Sequence, residues 1–427
     1  MGMKITRRKI LAGSAALVTA AIIVNRPADA SGPRDPYFLD MQKALKAADI
    51  AQPTLVVDRA RLNANIDQLM SDLPPGMGYR IVAKSLPSTE LLQHVRTRTK
   101  TDRLMTFNLP MLMTLSETMP TASQLIGKPF PAQAAQNYLE KLPVEYAEAT
   151  QNVQWLIDTP ERLAKYQAIG EAAGSIMPIN IELDVGLHRG GMKPGSELDA
   201  MLKTIKASNN LKFAGFMGYE PHVAKIPVIM GWQARVKNEA WNIYRAAINN
   251  AQSVFGQDVP ETMTRNAAGS PTYRLYKDTG IANEISAGSA LVKPVDFDTE
   301  LLRDFQPASF VATPVIKSSK DMQTAGLEFA DGLKNAYDPN LAQSVFIHGG
   351  HWLAAPVDPP GLRLNSTFGR SSNQELLNAG ASADIAPDDF VFLRPTQSEA
   401  VFLQFGDIAV YENGQIVEKW SVFPASA

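Results

Sequence analysis

Short apolar runs alternate with amphipathic stretches between residues 53 and 295. "PTLVVD" precedes "RARLNANIDQLMSDL", in which Leu62, Ile66, Leu69 and Leu73 fall on one helical face. "YRIVAK" then precedes a helix that begins near "PSTELLQHV". Further strand-like runs, each separated by room for a helix, are "DRLMTFN", "SQLIGKPF", "NVQWLID", "PINIELDVG", "LKFAGFMGYE" and "NEISAGSALVKP". About eight β/α units of this kind predict a (β/α)8 TIM-like barrel with "PTLVVD" as its first strand; a doubly wound sheet is the alternative.

The pattern changes after residue 295. "FQPASFVATPVIKSS", "SVFIHGGHWLAAPV", "DDFVFLRPTQSEAVFLQFG" and "DIAVYENGQIVEKWSVFP" are strand-like runs with turn signals between them. "ENGQ", at residues 412–415, is typical of a tight hairpin turn. The sequence therefore predicts a barrel over 53–295, a mostly β C-terminal domain over 296–427 and a helical lead-in over 31–52.

The first 30 residues have the layout of an export signal. Arg7, Arg8 and Lys9 precede an apolar stretch over residues 10–24, and small residues at Ala28 and Ala30 suit a signal peptidase. The apolar stretch is shorter than the ~20 residues that span a bilayer. The adjacent arginines resemble a twin-arginine signal, and an ordinary secretory signal or an uncleaved anchor is the alternative. We expect a periplasmic protein without a stable membrane span after removal of residues 1–30.

Composition excludes several classes of protein. The chain has 427 residues, a formal net charge of −2, 45% hydrophobic and 20% charged residues, and no cysteine. A basic stripe with interleaved aromatic residues is missing, so nucleic-acid binding has no support. Without cysteine there are no disulfides, thiolate metal ligands or cysteine nucleophiles.

Lys84 is the first candidate for chemistry, because it follows the apolar run "YRIVA" directly. Desolvation among apolar groups favours the neutral amine, which is the form that attacks an aldehyde. The alternative is a lysine whose charged end reaches solvent at a strand end.

Other unusual residues also fall at predicted strand ends, where barrels carry their active sites. Arg189, in "ELDVGLHRGG", could bind a carboxylate or phenolate oxygen, or else pair with Asp184. "NAAGSPTYR" and "SAGSA" are small-residue turns near the last strands, where barrels commonly hold a phosphate; tight turns are their other common use. A lysine, an arginine and two phosphate-type turns together indicate pyridoxal phosphate.

The sequence also resembles a known family. "PTLVVDRARLNANI", "YRIVAKSLPS", "IELDVGLHRGG", "FAGFMGYEPHV", "AAGSPTY" and "ISAGSA" look like fold-type III pyridoxal phosphate enzymes. Within them the chain is most similar to the branch of D-threonine aldolase and eukaryotic-type D-serine dehydratase, which shares the alanine racemase N-terminal barrel. The resemblance covers residues 53 to 290 in order and continues more loosely to the C-terminus.

The resemblance implies a role for individual residues. It places the Schiff-base lysine on Lys84, the arginine that contacts the cofactor's phenolate oxygen on Arg189, and the tyrosine and histidine of the "GYxGH" motif on Tyr219 and His222. The implied phosphate contacts are Gly269, Ser270, Thr272, Gly288 and Ser289.

The chain departs from the family's metal-binding pattern. The family binds a divalent metal in a "PxHxC"-like stretch, whereas this chain reads "RPTQSEAV", with Gln397 and Glu399 at the ligand positions. Both could offer oxygens to a hard cation such as Mg²⁺ or Mn²⁺, but we expect a metal-free site. "FIHGGHWLA" retains His348 and His351, which are either acid–base groups or a structural pair at a Gly-Gly turn.

The resemblance favours an exported lyase, either aldolase or dehydratase, that acts on a D-β-hydroxy-amino acid. His222, His348 or His351 could act as the base. The first alternative is an amino-acid racemase; the family's tyrosine after the last-strand glycine is Ala290 here, and Tyr273 is a weak candidate for a second base. The other alternative is a pyridoxal phosphate-binding protein without catalysis. By the same resemblance we expect a homodimer.

Overall fold

A computed structural model describes residues 26–320, 323, 326 and 328–424. The chain divides into two compact units. The barrel unit comprises residues 57–309, 396–410 and the chain from 418 onward. The second unit comprises the described residues up to 56, together with 310–395 and 411–417. As a domain boundary, 295/296 stays a prediction, and residues 1–25 of the predicted export signal lie outside the described residues.

The strands are numbered β1 to β17 along the chain. Their bounds are β1 Thr54–Asp58, β2 Gly78–Val82, β3 Arg103–Thr106, β4 Ser123–Ile126, β5 Val153–Ile157, β6 Met177–Leu183, β7 Leu211–Gly218, β8 Thr264–Ala267, β9 Glu284–Ala287, β10 Ser309–Ser319, β11 Gln343–His348, β12 Ala354–Asp358, β13 Arg363–Leu364, β14 Gln374–Ala379, β15 Phe390–Pro395, β16 Ile408–Glu412 and β17 Gln415–Trp420. Strands β2 to β9 are parallel neighbours in chain order, and β9 pairs with β2 to close the barrel. The predicted fold class, a TIM-like barrel with a mostly β region, is confirmed.

Two strand assignments from the sequence are wrong. The strand β1 forms, but it pairs in a second sheet and not in the barrel, so the strand before Lys84 is the first of the barrel. The missing barrel strand is β8, whose sequence "TRNA" has no apolar run. It escaped detection because its inward residue, Asn266, faces a polar barrel interior and donates hydrogen bonds to Glu284 and Ser286.

The helices are numbered α1 to α10 in the same way. Their bounds are α1 Pro36–Ala47, α2 Arg59–Asp72, α3 Thr89–Thr99, α4 Leu109–Thr118, α5 Ala132–Lys141, α6 Pro160–Ala173, α7 Ser196–Ala207, α8 Trp232–Phe255, α9 Ser289–Val292 and α10 Glu328–Tyr337. The start signal before α3 acts as predicted, because the Ser88 side chain accepts a hydrogen bond from the Leu91 N–H. Among the described residues, no helix has the length and apolar character that a membrane crossing requires.

The second sheet has the strand order β13-β14-β11-β10-β1-β16-β17, and β15 pairs with both β10 and β12. Its hairpin between β16 and β17 turns at Asn413 and Gly414, which both have positive φ. Two consecutive positive φ values are what a type I′ turn requires, so the predicted "ENGQ" turn is confirmed. Helix α1 lies within the predicted lead-in and buries Phe38 against Phe310 and Phe392.

Polar side chains fill part of the barrel interior. Glu284 on β9 accepts hydrogen bonds from Arg80 on β2 (Nε at 2.5 Å, Nη2 at 3.0 Å) and from Asn266 on β8 (2.7 Å). Arg80 and Glu284 are 1% and 2% exposed. Buried charges require such pairing, and Asn266 connects this network to the pocket described next.

Candidate active site

A pocket lies at the carboxyl ends of the barrel strands, where the sequence placed the candidate chemistry. All of its lining residues belong to the barrel unit. Most of the candidates named from the sequence line it: Lys84, Arg189, Tyr219, Gly269, Ser270, Gly288, Ser289 and Glu399. Closure of the barrel therefore gathers residues that are far apart in the chain into one site.

Lys84 lies in the helical turn Ala83–Ser85 that follows β2. Its side chain is 41% exposed, and its Nζ lies 3.3 Å from Glu399 Oε1. Nζ also lies 4.8 Å from the centre of the Phe107 ring. The expected apolar burial is thus only partial, since the amine projects into an open pocket beside a carboxylate.

The two glycine-serine turns form the wall of the pocket beside Lys84. Ser270 Oγ accepts hydrogen bonds from the N–H groups of Gly288 (3.3 Å) and Ala290 (2.9 Å), which ties the turn after β8 to the turn after β9. Ser289 Oγ donates to Ser85 Oγ at 2.9 Å, beside Lys84. Ser289 begins a helical turn, so its own N–H has no acceptor within that turn.

Both glycines of these turns are sterically required. A Cβ on Gly269 would lie 2.5 Å from Tyr219 Cε2, and one on Gly288 would lie 2.7 Å from the Val82 carbonyl oxygen. An amine and small turns with N–H and hydroxyl groups in the same pocket suit a ligand that carries an aldehyde and a phosphate. The residues present therefore fit pyridoxal phosphate.

Arg189 and Tyr219 lie together on another side of the pocket. The Arg189 guanidinium carbon is 5.4 Å from the centre of the Tyr219 ring. Burial, and to a lesser extent the neighbouring Glu220 charge, raise the pKa of Tyr219 to about 12. At neutral pH Tyr219 is therefore a protonated phenol, which can donate a hydrogen bond but not act as a base.

His222 follows β7 in the turn Pro221–Lys225 and is not among the pocket-lining residues. Its Nδ1 is buried and has no hydrogen-bond partner among the described residues. Burial lowers its pKa and the nearby His188 lowers it further, while Asp184 opposes them. His188 Nδ1 lies 3.0 Å from Asp184 Oδ2, so Asp184 holds the neighbouring His188 ring in place.

Two other candidates from the sequence are buried away from the pocket lining. Thr272 is fully buried, and its hydroxyl donates to Glu220 Oε1 at 2.7 Å. Glu220 also accepts from the Ala268 N–H at 3.3 Å, so the pair fixes the turn after β8. Tyr273, the weak candidate for a racemase base, is 1% exposed and donates to Asp72 Oδ2 at 2.6 Å.

The two weak candidates for metal ligands, Gln397 and Glu399, have different partners. Gln397 is exposed, and its Nε2 donates to Asp296 Oδ2 at 2.8 Å. Glu399 instead faces Lys84 and accepts from Ser398 Oγ at 3.0 Å. In the part of the chain that is described, no group of three or more His, Cys, Asp or Glu side chains could hold a metal ion. The side chains at 397 and 399 thus do not fit a shared metal.

His348 and His351 belong to the second unit, at the end of β11 and in the turn that follows it. Both are exposed. His351 has a positive φ of 61°, and its N–H donates to Glu375 at 2.8 Å. An acid–base role for these histidines stays a prediction.

Sequence reasoning missed several residues of the pocket. Phe107, Met217, Asn266 and Phe297 line it, and none was named as a candidate. Phe107 could have been found, because it lies at the carboxyl end of a predicted barrel strand, as Lys84 does. Asn266 lies in β8, which the sequence pattern did not predict. The pairing of Lys84 with Glu399 had no signal in the sequence.

Comparison with protein families gives a match over more than half of the chain. The family model described as the alanine racemase N-terminal domain matches residues 57–294. That range contains β2 to β9 and every pocket residue named above except Phe297 and Glu399. No curated protein matches the chain.

Solved structures share the fold over both regions of the chain. The D-threonine aldolase from Filomicrobium marinum is 16% identical, with a TM-score of 0.69 over 88% of this chain and 95% of that chain. D-threo-3-hydroxyaspartate dehydratase from Delftia sp. HT23 is 14% identical, with a TM-score of 0.69 over 88% and 98%. The alanine racemase of Clostridium difficile 630 is 13% identical, with a TM-score of 0.65 over 87% and 98%. At these identities the likeness shows the fold.

Proposed function

Because this chain belongs to the alanine racemase N-terminal domain family, whose members use pyridoxal phosphate, we propose that it is a pyridoxal phosphate-dependent lyase acting on a D-β-hydroxy-amino acid. The observation that carries the proposal is that Lys84 and both glycine-serine turns line one pocket. The similar folds of an aldolase and a dehydratase that act on such amino acids support the lyase assignment.

Different lining residues would hold different parts of the cofactor. Lys84 would bind the aldehyde, Ser270, Gly288 and Ser289 the phosphate, and Arg189 the phenolate oxygen. When bound, the cofactor supplies an electron sink for the electrons released when a bond at Cα breaks. The chain's own residues orient the substrate and move protons.

His222 is the proposed base of the barrel unit. A base must be neutral at working pH, and the lowered pKa of His222 meets this requirement. Its Nδ1 has no hydrogen-bond partner in the described part of the chain and is therefore available to accept or donate a proton. Removal of the β-hydroxyl proton would give an aldolase reaction, and removal of the Cα proton followed by loss of water would give a dehydratase reaction.

Cofactor binding is tested by a spectrum. Protein purified with pyridoxal phosphate should show an imine absorption band, and Lys84→Ala should lack it. Borohydride followed by peptide mass spectrometry should place the reduced cofactor on Lys84. A cofactor retained on another lysine, or no band at all, would refute the proposal. Lys293, buried and bonded to the Phe305 carbonyl, offers a Lys293→Met control that should keep the band.

The reaction is tested with a panel of single D-amino acids in deuterated water. An aldolase gives glycine and an aldehyde, and a dehydratase gives a keto acid and ammonia. A labelled antipode would show a racemase, and a bound cofactor without turnover would show a binding protein; either outcome overturns the lyase assignment. Two residues disfavour racemisation, which needs a second base. Tyr273, the weak candidate for that base, is buried and bonded to Asp72, and the family's tyrosine position is Ala290.

We also propose export by the twin-arginine route to the periplasm, and a homodimer. The support for export is the Arg7-Arg8 pair and the apolar stretch after it. Replacement of both arginines by lysine should retain the protein in the cytoplasm on cell fractionation.

Light scattering of the purified protein should give twice the chain mass, and a monomeric mass would contradict the dimer.

A further inference from the structure

Glu399 is the acidic side chain of the pocket lining and lies directly beside the cofactor-binding amine. Its Oε1 is 3.3 Å from Lys84 Nζ, and its Oε2 accepts a hydrogen bond from Ser398 Oγ at 3.0 Å. Ser398 is fully buried, so it fixes the carboxylate from behind. A carboxylate held in a pocket built for a phosphate-bearing ligand requires an explanation, because it repels anions.

The chemistry of substrate exchange supplies that explanation. A substrate amine would compete with Lys84 for the cofactor aldehyde, so the substrate would bind beside Lys84. Its Cα and Cβ would then lie near Lys84 Nζ. A group on Cβ would come within hydrogen-bonding reach of the Glu399 carboxylate, which lies 3.3 Å from Nζ.

We infer that Glu399 accepts a hydrogen bond from the β-hydroxyl of the substrate and so selects for β-hydroxy-amino acids without a bridging metal. The inference rests on the proposed function and identifies its specificity residue. Gln397, the other position of the metal-type pattern, is bonded to Asp296, so Glu399 is the one of the two that contacts Lys84. A negative charge at this place also disfavours a side-chain carboxylate.

The selectivity is measured by rapid-mixing spectral titration, which records substrate binding before turnover. Spectral titration of the cofactor-loaded protein should show D-serine bound more tightly than D-alanine, which lacks only the hydroxyl. A hydrogen bond to a charged group contributes about 1.5–3 kcal/mol, so the expected ratio is roughly 10- to 100-fold. Glu399→Ala should reduce the ratio to near one, and Glu399→Gln, which keeps an acceptor, should give an intermediate ratio.

Gln397→Ala is the matched control, since this exposed neighbour does not line the pocket. It should keep the wild-type ratio. D-threonine and D-threo-3-hydroxyaspartate form a second pair, in which a carboxylate replaces the methyl group. The wild type should bind D-threonine more tightly, and Glu399→Gln should narrow that difference.

Cofactor-free protein gives a readout that is independent of loading. Mn²⁺ binding is measured by electron paramagnetic resonance. The wild type, Glu399→Gln and Gln397→Ala should all bind Mn²⁺ to the same extent. Stoichiometric Mn²⁺ binding that either variant removes would overturn the inference, because Glu399 would then be a metal ligand.

Failure of this inference is distinguishable from failure of the proposed function. If no imine band forms on Lys84, the proposed function fails. If the band forms but D-serine and D-alanine bind equally, or the Glu399→Ala ratio equals the wild-type ratio, Glu399 does not select the hydroxyl.

Discussion

The Arg80–Glu284 pair in the barrel interior provides a strong test of how the site is supported. Arg80 Nε and Nη2 donate to the two carboxylate oxygens of Glu284 at 2.5 and 3.0 Å, and Arg80 Nη1 donates to the Leu104 and Ser123 carbonyls. Arg103 adds a third cationic contact at 3.0 Å. The pair thus connects β9, β2, β3 and β4 across the closure of the barrel.

We predict that Glu284→Gln strongly destabilises the barrel. The amide has nearly the same shape, but it leaves the Arg80 guanidinium, which is 1% exposed, without a counter-charge. Removal of one partner from a buried pair costs about 3–5 kcal/mol. An ordinary domain has a total stability of only ~5–15 kcal/mol, so the change should be large.

The pH dependence of the effect has a definite sign. Burial alone would raise the pKa of Glu284, but Arg80, with help from Arg103 and Asn266, lowers it below 4.5. A lowered pKa means that the stabilisation is present above the unfolded value and is lost as pH falls through the folded value. The difference between wild type and Glu284→Gln should therefore be constant from pH 7 to about 5 and shrink below ~4.5.

The assay is urea unfolding at several pH values, with hydrogen exchange of β2 and β9 peptides to assign the transition to the barrel. The exposed pair Asp67–Arg98 is the control, since its side chains are 60% and 39% exposed. Asp67→Asn should cost roughly 0–1 kcal/mol. A Glu284→Gln effect as small as the control would refute the idea that the buried charge pair stabilises the barrel.

Two further predictions concern the phosphate wall and its support. Gly288→Ala should weaken pyridoxal phosphate binding by roughly tenfold or more, because the new Cβ would lie 2.7 Å from the Val82 carbonyl oxygen. Spectral titration with pyridoxal phosphate measures this affinity. Gly332→Ala is the control, because a Cβ at that position would meet nothing within 4 Å. Burial raises the pKa of Glu220 despite its hydrogen bonds from Thr272 and Ala268, so its ionisation opposes folding as pH rises. Urea unfolding should therefore show Glu220→Gln gaining stability relative to wild type between pH 4.5 and 7, and a constant difference would contradict this.

The position of the site could be predicted from the sequence because of one geometric rule. The carboxyl ends of parallel barrel strands meet at one face, so residues that follow strands come together wherever they lie in the chain. Lys84, Arg189, Tyr219, Ser270 and the turn after β9 all follow this rule. The wrong assignment of two strands left the site intact, because Lys84, Arg189 and Tyr219 each follow a strand that was predicted correctly.

The identity of two barrel strands could not be predicted in the same way. The strand β1 has five buried residues and looks like a barrel strand, yet it pairs in the other sheet. The strand β8 is short and carries Arg265 and Asn266, so its composition resembles a loop. Apolar periodicity detects strands whose inward side chains are apolar, and it fails where the interior contains a charge network.

The contact between Lys84 and Glu399 shows a more general limit. Residues 396–410 lie far along the chain from the barrel strands, yet they belong to the barrel unit and bring Glu399 to the pocket. When it is aligned with the family pattern, position 399 suggests a metal ligand. The spacing within a motif does not reveal which residue lies opposite in the folded protein. The partner is an amine and not a second ligand, so the same spacing implies different chemistry. Motif spacing thus indicates which loop contributes residues to the site. The contacts of each side chain decide whether that residue is a metal ligand or the partner of an amine.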